Sequence, residues 1–267
     1  MNMCNSMNMY KKIFVSIAVV LQLIILLLSF SFAESKTEIT VSAALSLKNA
    51  FEEIGRMYER DRGAKIRFNF GASGNLMRQI EGGAPVDVFA SAATKEMDEL
   101  EKKGLIATGS RRNFAKNSIV LLTSSNVKAQ IHSFTDLTSG DIKRIAIGNF
   151  KTVPAGRYAG EIFRHYRILQ LIKDKLIFAE NVRQVLDYVT RDEVDAGVVF
   201  ATDAQAISKG AVIAAVADDK SHSRVLYPIG MTTNSKNPKP AGEFIRFVLS
   251  EEGQKILRKY GFKPAAQ

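Results

Sequence analysis

A unit of three parts occurs twice early in the chain: an apolar strand pattern, a turn of small residues and an amphipathic helix pattern. Residues 38–44 are typical of a buried strand, and Ser46 is expected to cap the helix that follows. Residues 65–70 alternate as a second strand and lead through Gly-Ala-Ser-Gly-Asn, at 71–75, into another helix. Such alternation predicts an α/β fold with mainly parallel sheets.

The alternation continues to the end of the chain. Further strands are expected at 86–91, 118–123, 144–147, 195–200 and 225–232. Helices are expected to start near Thr94, Pro154, Asn181 and Thr202. With 267 residues, of which 46% are hydrophobic and 24% charged, the chain has the composition of a globular protein with one large or two medium domains.

An apolar run near the N-terminus predicts an exported protein. Two lysines precede the run over residues 13–32, which ends in a small-x-small sequence suited to signal peptidase, with cleavage after Ala33. We therefore expect residues 1–33 to be a signal peptide and the location to be periplasmic. The run is also long enough to span a bilayer, so a membrane-tethered anion sensor is an alternative. The sequence shows no second module that would receive its signal.

Cysteine, histidine and charge argue against several functions. The one cysteine, Cys4, precedes the apolar run, so the mature chain would have no thiol for disulfides, catalysis or metal binding. The three histidines are widely spaced and form no zinc motif. The net charge of +10 comes from charges that alternate in sign, whereas nucleic-acid binding usually needs a cationic block. We expect no cofactor and no nucleic-acid partner, and the basic excess favours an anionic ligand.

Four predicted helix starts offer donors to such an anion. They lie around Ser46, Ser73, Ala155 and Val182. The first backbone N–H groups of a helix have no partner inside it and lie at its positive end. They are directed donors without a titrating proton, and short side chains let an anion approach them. Because every helix has such a start, the turns alone do not identify a site.

Six stretches together resemble the periplasmic molybdate-binding proteins of ABC importers. They are VSAALSLKNAF at 41–51, GASGNLMRQIEGGAPVDVFASA at 71–92, VPAGRYA at 153–159, ENVRQVL at 180–186, DAGVVFATDA at 195–204 and YGF at 260–262. The resemblance implies a type II periplasmic binding fold, in which two α/β lobes close over one oxyanion. It implies one lobe of residues 34–116 plus 226–267 and another of 117–225, joined by crossings near Asn117 and Val225.

The resemblance also implies the ligand and its contacts. Molybdate, or the nearly indistinguishable tungstate, would be bound as an oxyanion rather than as a free metal cation. Its oxygens would accept hydrogen bonds from the hydroxyl and backbone N–H of Ser46 and of Ser73. The backbone N–H groups of Ala155 and Val182 would complete the set.

Phe200 departs from the pattern of that family, which usually has a tyrosine donor at this position. The phenyl ring offers no hydroxyl, so Asn75 or an ordered water is the candidate replacement.

Arg157 and Arg183 stand beside the expected donors, and we interpret them as ion-pair partners rather than ligand contacts.

Two other ligand or function classes stay open. Sulfate or phosphate could replace molybdate, although phosphate would also need an acceptor for its proton. Residues 71–75 nearly match the Gly-x-Ser-x-Gly turn of serine hydrolases, but the last glycine is missing and little beyond Asp195 and His222 supports a triad. We expect a monomeric binding protein without catalytic residues that docks on a membrane permease and its ATPase.

Overall fold

The structure is a computed structural model that describes residues 16, 17, 22, 37–205, 207 and 209–265. The predicted signal peptide, residues 1–33, lies outside the described residues except at three positions, so its cleavage stays a prediction. No helix within the described part of the chain is long and apolar enough to cross a membrane.

The strands form two mixed sheets. In chain order they are β1 Glu38–Ala44, β2 Lys65–Gly71, β3 Val88–Ala90, β4 Arg112–Lys116, β5 Ile119–Ser124, β6 Ile145–Gly148, β7 Leu176–Ala179, β8 Ala196–Phe200, β9 Ala211–Val216, β10 Leu226–Met231 and β11 Lys263–Pro264. The first sheet has the order β11-β4-β10-β3-β1-β2 and the second β7-β6-β8-β5-β9. The chain passes to the second sheet between β4 and β5 and returns between β9 and β10.

Helices cover both sheets. They are α1 Lys48–Arg62, α2 Ser73–Glu81, α3 Thr94–Lys102, α4 Pro154–His165, α5 Leu169–Ile172, α6 Val182–Thr190, α7 Ala201–Ala204, α8 Pro238–Leu249 and α9 Glu251–Lys259, with short 3-10 helices at Leu45–Leu47, Phe134–Thr138 and Lys173–Lys175. Helices α1, α2, α3, α8 and α9 pack with the first sheet and α4, α6 and α7 with the second, while α5 packs against α4. Their apolar stripes are buried, as Phe51 and Ile54 of α1 illustrate. We call the two groups the first-sheet side and the second-sheet side.

The predicted α/β class with two helix-flanked sheets is confirmed, but parallel pairing does not dominate. β1 pairs in parallel with β2 and β3, and β6 with β7 and β8. Every antiparallel pair involves β4, β5 or β10, the strands next to the two passages between the sheets. No α-helix lies between β4 and β5 or between β9 and β10. Parallel pairing needs a crossover connection of that kind, so the strands next to these passages pair antiparallel.

An aromatic cluster joins the two sides. Tyr227 of β10 is fully buried, and its ring centroid lies 5.6 Å from that of Phe200 at the end of β8. Phe114 and Phe262 contact the same tyrosine ring at centroid distances of 6.3 and 5.3 Å. Edge contacts of this kind stabilise aromatic pairs beyond their buried area. The cluster therefore fixes the strand ends around which the candidate site forms.

Candidate functional site

A narrow cleft lies where strand ends of both sheets meet the starts of helices. It is lined by Ala44, Leu45, Ser46, Gly71, Ala72, Ser73, Ala92, Val153, Pro154, Asn181, Val182 and Phe200. The space between its lining atoms is about 220 Å³, which includes the mouth that opens to solvent. The lining residues are small, apolar or neutral polar, and none carries a carboxylate.

Ser46 lies inside the 3-10 helix between β1 and α1. The prediction that it caps a helix is wrong, because Ala44 occupies the N-cap position and no side chain caps this helix. The strand continues directly into a tight turn, which places the serine one residue inside the helical segment. Its hydroxyl lies 3.1 Å from Tyr227 Oη. Ser46 is therefore a buried donor candidate in the cleft rather than a cap.

Ser73 is the first residue of α2 and is fully buried. Its Oγ accepts a hydrogen bond of 3.0 Å from the Ala92 N–H, so the hydroxyl proton is free to point into the cleft. The next residue, Gly74, donates its N–H to the Thr152 carbonyl of the second-sheet side at 3.0 Å. A Cβ at position 74 would lie 2.8 Å from the Thr152 backbone, so glycine is required for this approach.

Two helix starts of the second-sheet side complete the cleft. Helix α4 begins at Pro154, which lines the cleft, and Ala155 is the next residue. Helix α6 begins at Val182, and the predicted Asn181 cap is confirmed because its Oδ1 accepts from Gln184 N–H at 3.0 Å. The structure thus brings the starts of α4 and α6 to the same cleft as the two serines.

The four expected amide donors share one property. They are the backbone N–H groups of Ser46, Ser73, Ala155 and Val182. Each lies in the first turn of its helix, where no partner exists within the helix. Among the described residues none of them donates to a group outside its helix. These amides have the geometry of unused donors.

Phe200 closes the cleft at the end of β8, where it is also the N-cap residue of α7. The prediction that Thr202 caps this helix is therefore wrong. The Phe200 ring packs against Tyr227 and, at 6.3 Å, against Tyr158. Asn75 does not line the cleft, and its Oδ1 accepts a hydrogen bond from Arg78.

Arg157 forms an ion pair with a buried glutamate, and this pair joins the two sides. Its Nη2 lies 2.9 Å from Glu96 Oε1 and donates to Glu96 Oε2 at 3.1 Å. Glu96 belongs to α3 and Arg157 to α4, so the pair connects the first-sheet side to the second-sheet side. The prediction that Arg157 is an ion-pair partner is confirmed.

Arg183 forms the second pair, with a residue that the sequence analysis missed. Its Nε lies 3.0 Å from Oδ1 of Asp203, which is completely buried. Neither carboxylate oxygen of Asp203 has a well-aligned hydrogen-bond donor among the described residues. Burial raises the pKa of Asp203 to about 6, although the Arg183 guanidinium opposes this shift. The sequence signal for a buried acid at Asp203 was its place just after the apolar strand β8, since positions next to such a strand are usually buried.

Asn117 and Tyr227 form a hydrogen-bond network that no pattern in the sequence predicts. Asn117 Nδ2 donates to Thr202 Oγ1 at 2.9 Å and to Tyr227 Oη at 3.1 Å. Burial raises the pKa of Tyr227 well above its ordinary value, so its hydroxyl keeps its proton. The network reaches Ser46 through the tyrosine.

Comparison with known proteins assigns the chain to a family. The family model of bacterial extracellular solute-binding proteins matches residues 39–263, which include every residue that lines the cleft. The chain belongs to this family. Its two helix-flanked sheets are accordingly those of a two-lobe binding protein.

Individual relatives cover most of the chain. The Bacillus subtilis protein named "Putative ABC transporter substrate-binding lipoprotein YvgL" is 39% identical over 231 residues, which are 86% of this chain and 88% of that one. Molybdate-binding protein ModA of Escherichia coli is 34% identical over 234 residues, 84% and 88% of the two chains. A solved "substrate binding domain of putative molybdenum ABC transporter from Clostridium difficile" is 37% identical with a TM-score of 0.67, and covers 86% of this chain and 100% of that one.

Proposed function

We propose that this protein binds molybdate or tungstate in the cleft, outside the cytoplasm, and delivers it to the permease and ATPase of an ABC importer. One observation carries the proposal: the cleft presents serine hydroxyls and unused helix-start amides, and its lining residues include no carboxylate. A dianion that loses its hydration needs fixed donors of this kind. The names of the molybdate-binding relatives support the choice of ion.

The two lobes of this proposal follow the two sheets. One lobe is residues 34–116 plus 226–267 and the other is 117–225. The strand order supports this division, because β1 to β4, β10 and β11 form the first sheet and β5 to β9 the second. Binding closes the lobes, and the Gly74–Thr152 and Glu96–Arg157 contacts form across the closed cleft.

The ligand contacts come from both lobes. Ser46 and Ser73 donate through hydroxyl and amide, and Ala155 and Val182 through the amide alone. Molybdenum is held as its oxyanion, so no protein side chain ligates a cation.

The composition of the cleft lining disfavours phosphate as the ligand and a serine hydrolase as the function. Phosphate carries a proton near neutral pH and needs an acceptor, which a carboxylate-free lining supplies poorly. A serine hydrolase needs a base at its serine, but the Ser73 oxygen accepts from a backbone amide and no histidine lines the cleft. We therefore propose a binding protein, monomeric and without catalysis, that is exported with cleavage after Ala33.

Calorimetric titration of the ligand-free mature protein tests this function. Molybdate and tungstate should bind with similar affinity at one ion per chain, sulfate more weakly, and phosphate weakest. Tighter binding of sulfate than of molybdate would overturn the ligand assignment. Absence of binding to all four ions would overturn the proposal itself.

A further inference from the structure

We propose that Asn117 and Tyr227 are positioning residues that turn the Ser46 hydroxyl into a donor aimed at the bound oxyanion. The inference rests on the proposed function and extends it to residues outside the cleft lining. Its basis is a chain of two hydrogen bonds, each 3.1 Å long, from Asn117 Nδ2 to Tyr227 Oη and between Tyr227 Oη and Ser46 Oγ.

The direction of the first bond follows from the orientation of the Asn117 amide. Its Oδ1 accepts from the Ser118 N–H at 2.9 Å, which places the NH₂ group toward Thr202 and Tyr227. This assignment comes from the hydrogen-bond network, as is usual for amides. Both N–H bonds are then used, and the amide nitrogen accepts none. The Tyr227 oxygen must be the acceptor.

The direction of the second bond follows from the burial of Tyr227. Its side chain is completely buried, and within the described part of the chain its hydroxyl bonds to Asn117 and Ser46. The tyrosine proton cannot go to the Asn117 NH₂ group. An unpaired proton in the interior is unfavourable, so it is donated to Ser46 Oγ.

The consequence is that the Ser46 oxygen already accepts a hydrogen bond and its own proton is free. Ser46 lines the cleft, so that proton is available to the ligand. Consecutive hydrogen bonds that point the same way polarise one another, which strengthens the last donor toward an anion. Ser73 is prepared in the same manner, with the Ala92 amide in the role of Tyr227. At Ser46 the direction of the hydroxyl proton is set by side chains, whereas at Ser73 it is set by a backbone amide. Substitution can therefore test the direction at Ser46 but not at Ser73.

Tyr227→Phe removes the hydroxyl and keeps the ring that packs on Phe200. We expect the molybdate Kd to rise by about threefold to tenfold at unchanged stoichiometry, since a hydrogen bond to a charged acceptor is weakened rather than lost. In a Ser46→Ala background the same substitution should not change the Kd, because the hydroxyl it orients is absent. A general structural role would lower affinity in both backgrounds.

Tyr158→Phe is the matched control. Tyr158 is also buried, contacts Phe200 and bonds through its hydroxyl to the Arg224 carbonyl at 3.4 Å, but it has no bond to Ser46. Its substitution should leave the Kd unchanged. Should Tyr227→Phe fail to fold, Asn117→Ala is the second variant, with an expected loss of about twofold to fivefold that disappears in the Ser46→Ala background.

The outcomes separate this inference from the function on which it rests. If the parent binds molybdate but Tyr227→Phe binds equally well, or loses the same factor in both backgrounds, the positioning role is wrong and the function stands. If the parent binds none of the four oxyanions, the proposed function is wrong and this inference with it.

Discussion

Two arginines beside the cleft each pair with a buried carboxylate, and the two pairs differ in what they connect. Glu96–Arg157 joins α3 of the first-sheet side to α4 of the second-sheet side, and one guanidinium nitrogen lies within 3.1 Å of both carboxylate oxygens. Arg183–Asp203 lies wholly in the second-sheet side, between α6 and α7, and its carboxylate has no aligned donor among the described residues.

Because one pair joins the two sides and the other lies within one side, we expect the first to affect lobe closure and the second to affect stability. In the closure that we propose, a pair that crosses the cleft forms only when the lobes close, so we expect it to contribute to ligand affinity. A pair inside one side exists in every folded state, so it affects the stability of that side. Burying a charge is unfavourable unless it is paired and hydrogen-bonded, which makes Asp203 the more costly of the two acids.

The largest expected effect is on stability, from Arg183→Ala. The substitution leaves Asp203 as a buried charge without its partner, and should lower the free energy of unfolding at pH 8 by about 3 kcal/mol. At pH 5 the loss should be smaller, because Asp203 then takes up a proton. Denaturant unfolding at both values measures the difference, with Arg183→Ala/Asp203→Asn as the control that should recover most of it. Equal losses at the two pH values would show that the charge of Asp203 does not matter.

The next effect is the pH dependence that Asp203 itself causes. Its pKa is raised in the folded state from 3.8 to about 6, so the folded protein binds this proton more tightly than the unfolded chain. The free energy of unfolding should therefore fall as pH rises from about 4 to about 6, by on the order of 3 kcal/mol from this group, and level off above. Asp203→Asn should lack this contribution. Parallel stability curves for parent and variant would contradict it.

A smaller effect, on affinity, is expected from Glu96→Gln. The variant keeps the shape of the side chain but removes the charge that holds Arg157 across the cleft, and should raise the molybdate Kd by about tenfold. The melting temperature of the ligand-free protein should change little, because the contact belongs to the closed form. Titration and thermal melting measured together decide this. Tighter binding would instead indicate that Arg157, once released, contacts the ligand.

The smallest effect on affinity is expected from Phe200→Tyr, which adds a hydroxyl donor at the end of β8, where the phenyl ring of Phe200 has none. The new hydroxyl should tighten molybdate binding by about threefold, and by no more than about tenfold, the limit set by one hydrogen bond to a charged acceptor. Titration beside the parent measures the gain. An unchanged or weaker affinity would mean that the site is complete without a tyrosine.

The fold was predictable where burial imposes a period on the sequence. Strand β1 and the starts of α3 and α6 lie where the pattern placed them. Strand β4 was missed because Arg112 and Asn113 at its start are exposed, and β9 because Val212 and Ile213 are exposed apolar residues that follow no strand period.

The candidate site was predictable in position but not in its supporting contacts. The resemblance named Ser46 and Ser73, and the structure brings both to one cleft. It could not name the pairing of Asn117 with Tyr227, whose positions are 110 residues apart, because nothing local in a sequence encodes such a contact. Arg157 and Arg183 were expected to form ion pairs, but their partners Glu96 and Asp203 could not be named, because these contacts also join distant parts of the sequence.

Anomalous diffraction from crystals grown with molybdate, recorded at the molybdenum edge, locates the bound ion. We expect one anomalous peak per chain in the cleft, with the oxygens around it within hydrogen-bonding distance of the Ser46 and Ser73 hydroxyls and of the Ala155 and Val182 amides. A molybdenum peak elsewhere, for example in the surface cleft lined by Arg62 and Arg246, with the central cleft empty, would contradict it.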